Sequence, residues 1–127
     1  MVLCVDDDAH GQALASCFFM HRDFHVMEAK GGDETVRKVL VLRPQLIIMD
    51  LQVRMLNPHE TTQRLKSDRR TRAIPLIALS TDIFPHRRQD AELAGCDAFL
   101  VKPVRFEHLL GVAAPLITGR PRRTGTA

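Results

Sequence analysis

Three carboxylates, Asp6, Asp7 and Asp8, follow directly on the apolar run Val2-Leu3-Cys4-Val5. Asp50 closes a second run of this kind (QLIIMD), Ser80 a third (IPLIALS), and Lys102 follows a fourth (AFLVKP). Short apolar runs rich in branched residues fit strands buried on both faces, as in parallel sheets. In an open α/β sheet the carboxyl ends of the strands border the crevice where ligands bind. Acids, a hydroxyl and an ammonium that are distant in sequence would then converge on one edge.

Carboxylates held that close repel one another by about 4 kcal/mol per pair at 4 Å and an effective dielectric of about 20. Such a group calls for a cation, and hard oxygen ligands with open positions suit Mg²⁺, which favours sites shared with phosphate. A metal there, with the Lys102 ammonium and the Ser80 hydroxyl, would neutralise and orient a phosphoryl group. A carboxylate can also accept that group as a nucleophile, forming an aspartyl phosphate.

The elements that must position these residues alternate along the chain. After the first strand, apolar residues at Ala13, Leu14, Cys17 and Phe18 predict a helix from Ala9 to His21, with Asp8 as its N-cap. A second strand is expected over His25–Ala29 and a second helix over Asp33–Leu42, closed by Pro44. The third strand, Gln45–Met49, ends on Asp50. Asn57-Pro58-His59-Glu60 is a helix start signal, with Asn as cap, Pro at the first helical position and Glu at the third, so a third helix runs from Pro58 to Ser67. The fourth strand is expected from Ile74 to Leu79, the fourth helix from Pro85 to Ala94 with Gly95 as its stop, and the fifth strand from Ala98 to Val101. A fifth helix from Val104 to about Ala114 should break or kink at Pro115. Five alternations with short connections imply right-handed crossovers and a doubly wound, open α/β sheet.

Composition narrows the class. The chain has 127 residues, 45% hydrophobic and 26% charged, enough for one domain with its own core. No apolar run approaches the roughly 20 residues of a membrane span, and no basic leader precedes the first acids, so a cytoplasmic protein without a membrane partner is expected. The net charge of +3 is localised: GRPRRTGTA, residues 119–127, holds three of the 18 basic groups, and the remaining 15 balance 15 acids. A neutral body argues against nucleic-acid binding by the folded part, and the tail reads as a flexible end or the start of a linker. Cys4, Cys17 and Cys96 lack CxxC spacing and read as buried thiols, and the six histidines form no metal-ligand pattern.

This set of residues resembles the receiver domain of two-component response regulators, over essentially all of the chain up to the tail. The resemblance is carried by Asp6-Asp7 in VDDD, Asp50 in IIMD, Ser80 in IALST and Lys102-Pro103 in FLVKP, with intervals of 30 residues from Asp50 to Ser80 and 22 from Ser80 to Lys102. It implies a (βα)5 fold of three layers, α/β/α, whose five-stranded parallel sheet has the order 2-1-3-4-5. The domain would occupy residues 1–118. It further implies that Asp50 is the phospho-acceptor, that Asp7 binds Mg²⁺ directly and Asp6 through water, and that the Gln52 backbone carbonyl completes the protein's ligands together with Asp50. Ser80 would be the switch hydroxyl, Lys102 the partner of a phosphoryl oxygen, and Phe99 the aromatic switch residue. The implied partners are a histidine kinase or phosphotransfer protein upstream and an output domain, a partner protein or a second copy downstream. The signalling surface would combine the fourth helix, fifth strand and fifth helix. Catalysis would extend only to the domain's own phosphorylation and dephosphorylation.

Taken singly, Asp8 reads as a helix cap, Phe99 as a core aromatic and Lys102 as a solvated charge; its place after an apolar strand and before Pro103 lifts only Lys102. The chain departs from the family where Pro and Gly are usual four and eight residues after the acceptor: Arg54 and Pro58 stand there. Pro cannot take the positive φ that Gly permits, so another path is expected for that loop. Two other readings follow, a receiver-like protein-binding module that acts without phosphorylation and a phosphatase with an aspartyl nucleophile. The second lacks an acid two residues after Asp50, where Gln52 stands.

Overall fold

The computed structural model describes residues 1–5, 25–52, 57–81 and 84–118. The predicted first helix, Asp6 to Asp8 with the proposed cap, Arg54 and the tail 119–127 lie outside these residues. The described elements are β1 (Val2–Val5), β2 (Val26–Ala29), α1 (Gly32–Leu42), β3 (Leu46–Asp50), α2 (Pro58–Ser67), β4 (Leu76–Ser80), α3 (Pro85–Ala94), β5 (Ala98–Val101) and α4 (Phe106–Thr118). The strands form one parallel sheet in the order β2-β1-β3-β4-β5, as expected.

Strand alternation sends successive side chains to opposite faces. Val2, Cys4, Leu46, Ile48, Ile77 and Leu79 therefore share one face, where Leu109 and Ala113 of α4 cover them. Leu3, Val5, Ile47, Met49 and Leu76 share the other, covered by Val39 of α1 and Leu65 of α2. Every residue of β1, β3 and β4 is buried, and burying one such aliphatic side chain stabilises by roughly 1.5–3 kcal/mol. The centre of the sheet is thus the rigid part, and the residues at its ends inherit that rigidity.

The start of α2 follows its local chemistry. Asn57 Oδ1 accepts from the Glu60 N–H at 3.1 Å, and Pro58 occupies the first helical position, where its missing N–H costs nothing. Strand β4 begins at Leu76 rather than Ile74, because Pro75 has no N–H to donate. The Leu76 N–H instead donates to Asp97 Oδ2 at 2.8 Å. Asp97 also accepts from Lys66 Nζ at 2.7 Å, and Lys66 donates to the carbonyls of Arg72 and Ile74 at 3.2 and 2.8 Å. That lysine closes the end of the sheet opposite the acidic edge.

The expected break at Pro115 does not occur: α4 starts at Phe106, two residues late, and runs through Pro115 to Thr118. Pro115 sits in the last turn, so its missing N–H removes one bond close to a terminus where bonds already run out. Leu116 and Ile117 pack on the core beyond it and hold that turn in place.

The four helices are anchored unequally. Helix α1 buries Thr35 and Val39, α2 buries Thr61, Thr62 and Leu65, and α4 buries Leu109 and Ala113. Helix α3 buries only Ala94. It ends at Gly95, whose φ of 112° lies in the left-handed region and whose N–H donates to the Ala91 and Glu92 carbonyls.

A Cβ at Gly95 would stand 3.0 Å from Lys66 Cγ, on a side chain fixed by three hydrogen bonds. Gly95→Ala is expected to destabilise the fold by about 1–2 kcal/mol through left-handed strain and this clash. A urea unfolding midpoint unchanged from that of the parent would refute this account.

Candidate functional site

The parallel register brings three of the sequence-selected residues together. Asp50 is the last residue of β3 and pairs with Leu79, and Ser80 is the last of β4 and pairs with Val101. Lys102 directly follows β5, its N–H donating to the Ser80 carbonyl at 2.9 Å. The sheet order places Ser80 between the other two. Asp50 is 1% exposed and Ser80 also 1%, so both sit at the floor of the crevice.

The Asp50 carboxylate is held at both oxygens. Lys102 Nζ lies 2.5 Å from Oδ2, and the Gln52 backbone N–H donates to Oδ1 at 2.9 Å. A charge removed from water needs a partner of this kind, since an unpaired ion at such a site costs several kcal/mol. The Gln52 side-chain amide bridges Asp50 to Thr81. With its oxygen towards Thr81 it accepts from the Thr81 N–H at 3.0 Å and from the Thr81 hydroxyl, while its nitrogen donates to Asp50 Oδ1 at 3.3 Å. That orientation satisfies both neighbours.

Phe99 is buried, at 7% exposure, on the β5 face towards α3. The Arg88 guanidinium lies over its ring, 5.4 Å from the centroid, and Arg88 donates to the Phe99 carbonyl at 3.3 Å. A cation over an aromatic face is worth about 0.5–1 kcal/mol when exposed, so this contact is one of the few that tie α3 to the sheet. The Gln52 side chain, Thr81 and Arg88 were not singled out from sequence. Thr81 is marked only by following Ser80 at a strand end, and Arg88 carries no signal that separates it from Arg87 beside it in the same helix.

Asp6 and Asp7 lie outside the described residues. Val5, the residue before them, pairs with Met49, which precedes Asp50 in β3. The described oxygens at this edge, on Asp50, Ser80 and Gln52, are hard donors of the type Mg²⁺ takes.

A buried carboxylate, a lysine and a hydroxyl on the carboxyl edge of a 2-1-3-4-5 parallel sheet define a class of α/β signalling modules. The chain belongs to the response regulator receiver domain family, whose model matches residues 2–114. Receiver domains interact with histidine kinases or phosphotransfer proteins, and their role is in signalling.

Similar proteins include the gliding motility regulatory protein of Myxococcus xanthus, 35% identical over 101 residues. That match takes in 80% of this chain but only 13% of the longer relative. The protein PilH of Pseudomonas aeruginosa is 26% identical over 118 residues, covering 93% of this chain and 98% of its own length. The polar-differentiation response regulator DivK of Brucella anthropi is 27% identical over 103 residues, covering 81% and 84%. Among solved structures, the receiver domain of a Pseudomonas aeruginosa sensor histidine kinase matches with a TM-score of 0.81 at 23% identity, over 92% of this chain and 96% of its own. That structure has a magnesium ion coordinated in its active-site cleft. A chemotaxis response regulator of Vibrio cholerae matches with a TM-score of 0.77 at 24% identity, over 91% and 96%. No helix among the described residues is long and apolar enough to cross a membrane.

The buried ion pair makes a direct prediction. With metal removed by chelation, Lys102→Ala should cost about 2–4 kcal/mol by stranding the Asp50 charge, and adding Asp50→Asn should recover at least half of that. Denaturant unfolding of both variants measures the coupling. Additive losses would show that the two charges do not stabilise each other.

Proposed function

We propose that this domain accepts a phosphoryl group on Asp50 from a histidine kinase or phosphotransfer protein, and that it signals through the surface made by α3, β5 and α4. The observation that carries this reading is the meeting of Asp50, Ser80 and Lys102 on one buried edge. The Asp50 carboxylate is the nucleophile, attacking phosphorus to give a mixed anhydride as the P–N bond to the donor's histidine breaks and its imidazole leaves. Lys102, already at 2.5 Å from Asp50, then holds one phosphoryl oxygen, and the Ser80 hydroxyl holds another. The domain's own reactions are limited to gaining and losing this group.

The residues that would hold Mg²⁺ are Asp50, Asp6, Asp7 and the Gln52 backbone carbonyl, an all-oxygen set. The metal supplies charge neutralisation for the phosphoryl oxygens when bound. The acidic pair follows β1, next to β3 in the sheet, which supports a shared site. A kinase as donor also implies a cytoplasmic place of action.

The response follows from how weakly α3 is docked. Ser80 pairs with Val101, two residues from Phe99, and Phe99 is the ring on which Arg88 of α3 rests. Drawing the Ser80 hydroxyl towards a phosphoryl group changes the space beside Phe99, and a helix that buries only Ala94 can shift at small cost. Leu93, Val101 and Leu110 are exposed on these three elements, an apolar surface for an output domain, a partner protein or a second copy.

Incubation with acetyl phosphate and Mg²⁺ should add the mass of one phosphoryl group, and Asp50→Asn should abolish the gain. No gain in the parent chain would favour a module that binds partners unphosphorylated. Asp7→Ala should weaken Mg²⁺ binding while leaving stability equal or higher, because it removes one of several repelling carboxylates. A large loss of stability in that variant would count against a metal-binding crevice. In Ser80→Ala, phosphorylation should persist while partner binding or dimerisation responds less.

A further inference from the structure

The Gln52 side chain has no part in metal binding by its backbone carbonyl, yet it engages the acceptor directly. A carboxylate offers about four acceptor sites, and three of those on Asp50 are taken. Oδ1 receives two donors from Gln52, the backbone N–H at 2.9 Å and the side-chain amide at 3.3 Å. Oδ2 receives Lys102 Nζ at 2.5 Å. A carboxylate that is to take a metal and attack phosphorus needs two open sites, so one of the present donors has to leave.

Which one leaves follows from how each is held. The Gln52 backbone is pinned, because the Leu51 N–H beside it donates to the Leu79 carbonyl at 2.9 Å. Lys102 carries the charge that balances Asp50, and its N–H is fixed to the Ser80 carbonyl at 2.9 Å. The side-chain amide of Gln52 is uncharged, makes the longest of the three bonds, and can depart by side-chain rotation alone.

The far end of that amide explains why it rests there. Its oxygen accepts from the Thr81 N–H at 3.0 Å and from the Thr81 hydroxyl. The bridge thus runs from Asp50, on the floor of the crevice, through the half-buried Gln52 to the exposed Thr81. It ties the end of β3 to the residue after β4.

We propose that the Gln52 side chain is a latch on the acceptor, closed on Asp50 and Thr81 in the resting domain, which must swing away before Asp50 can bind Mg²⁺ and react. This rests on the proposed role of Asp50. Because one amide holds both partners, opening the acceptor and releasing Thr81 are a single event. Gln52 is here a positioning residue, and a latch of this kind weakens apparent binding according to the fraction of time it is open.

Mg²⁺ titration of the unphosphorylated chain, followed by NMR, reads the latch without any phosphoryl transfer. Gln52→Leu, of similar size without the amide, should bind Mg²⁺ about five-fold more tightly, the worth of one hydrogen bond. Gln52→Ala should behave in the same way, which separates the lost bond from any disturbance by leucine. Thr81→Ala, which acts on Asp50 only through Gln52, should tighten Mg²⁺ about two-fold. The double variant Gln52→Leu with Thr81→Ala should bind no better than Gln52→Leu alone. In the parent, Mg²⁺ should move the Thr81 amide proton upfield as its bond to Gln52 is lost; in Gln52→Leu that proton should already lie upfield and move little. The latch is overturned if both Gln52 variants bind Mg²⁺ no more tightly than the parent, if the two changes add in the double variant, or if the Thr81 proton of the parent does not respond. Should Asp50 accept no phosphoryl group, the mass gain with acetyl phosphate is lost in parent and variants alike, while the Mg²⁺ readings still decide the latch.

Discussion

A carboxylate almost wholly withdrawn from water at the end of a central strand can persist only with a cation beside it. In this chain the cation is Lys102, 2.5 Å from Asp50, and the sheet order is what delivers it there. Strand β4 lies between β3 and β5, so the lysine reaches over the end of β4, where Ser80 sits. The hydroxyl is thereby confined beside both charges. No helix contributes a described group to this trio; the helices bury the strands so firmly that strand ends become fixed points. Close packing on both faces turns a pattern of apolar runs into a geometry accurate enough for chemistry.

The same packing is uneven across the sheet. On one side of the crevice β1 and β3 are buried along their whole length. On the other, β5 is an edge strand with a partly exposed pattern, and α3, which buries only Ala94, meets it through the Arg88–Phe99 contact. Low local burial makes such an element the cheapest part of a domain to displace. Ser80 is joined to β5 by register and by the Lys102 N–H, so it borders this less buried side of the sheet.

Much of this was legible in the sequence, for definite reasons. Runs such as VLCV and QLIIM have only one comfortable environment, a strand covered on both sides, and the polar residue after each is then placed on a common edge by topology alone. Asn57-Pro58 announced α2 because a cap acts within three residues. Pro115 misled because its local cost was outweighed by the apolar contacts of Leu116 and Ile117, which a local rule does not count. The Gln52–Thr81 bridge and the Arg88 clamp were invisible for a related reason. Each joins residues on different elements, through side chains that are ordinary in their own segments.

The donors around Asp50 also bear on how an added phosphoryl group would be received. Lys102 and the Gln52 amides already point at the oxygens of a carboxylate that is itself buried. A group bonded to Asp50 would place its own oxygens within reach of the same donors, so small rotations rather than new recruitment would satisfy the added charge. Electrostatic preorganisation of this sort avoids reorganising solvent at the moment of transfer. Gln52 would be the pivot of such a rearrangement, since its side chain could turn to a new acceptor only by loosening its hold on Thr81. Thr81 adjoins Ser80, so an adjustment at Asp50 would be felt directly at the end of β4.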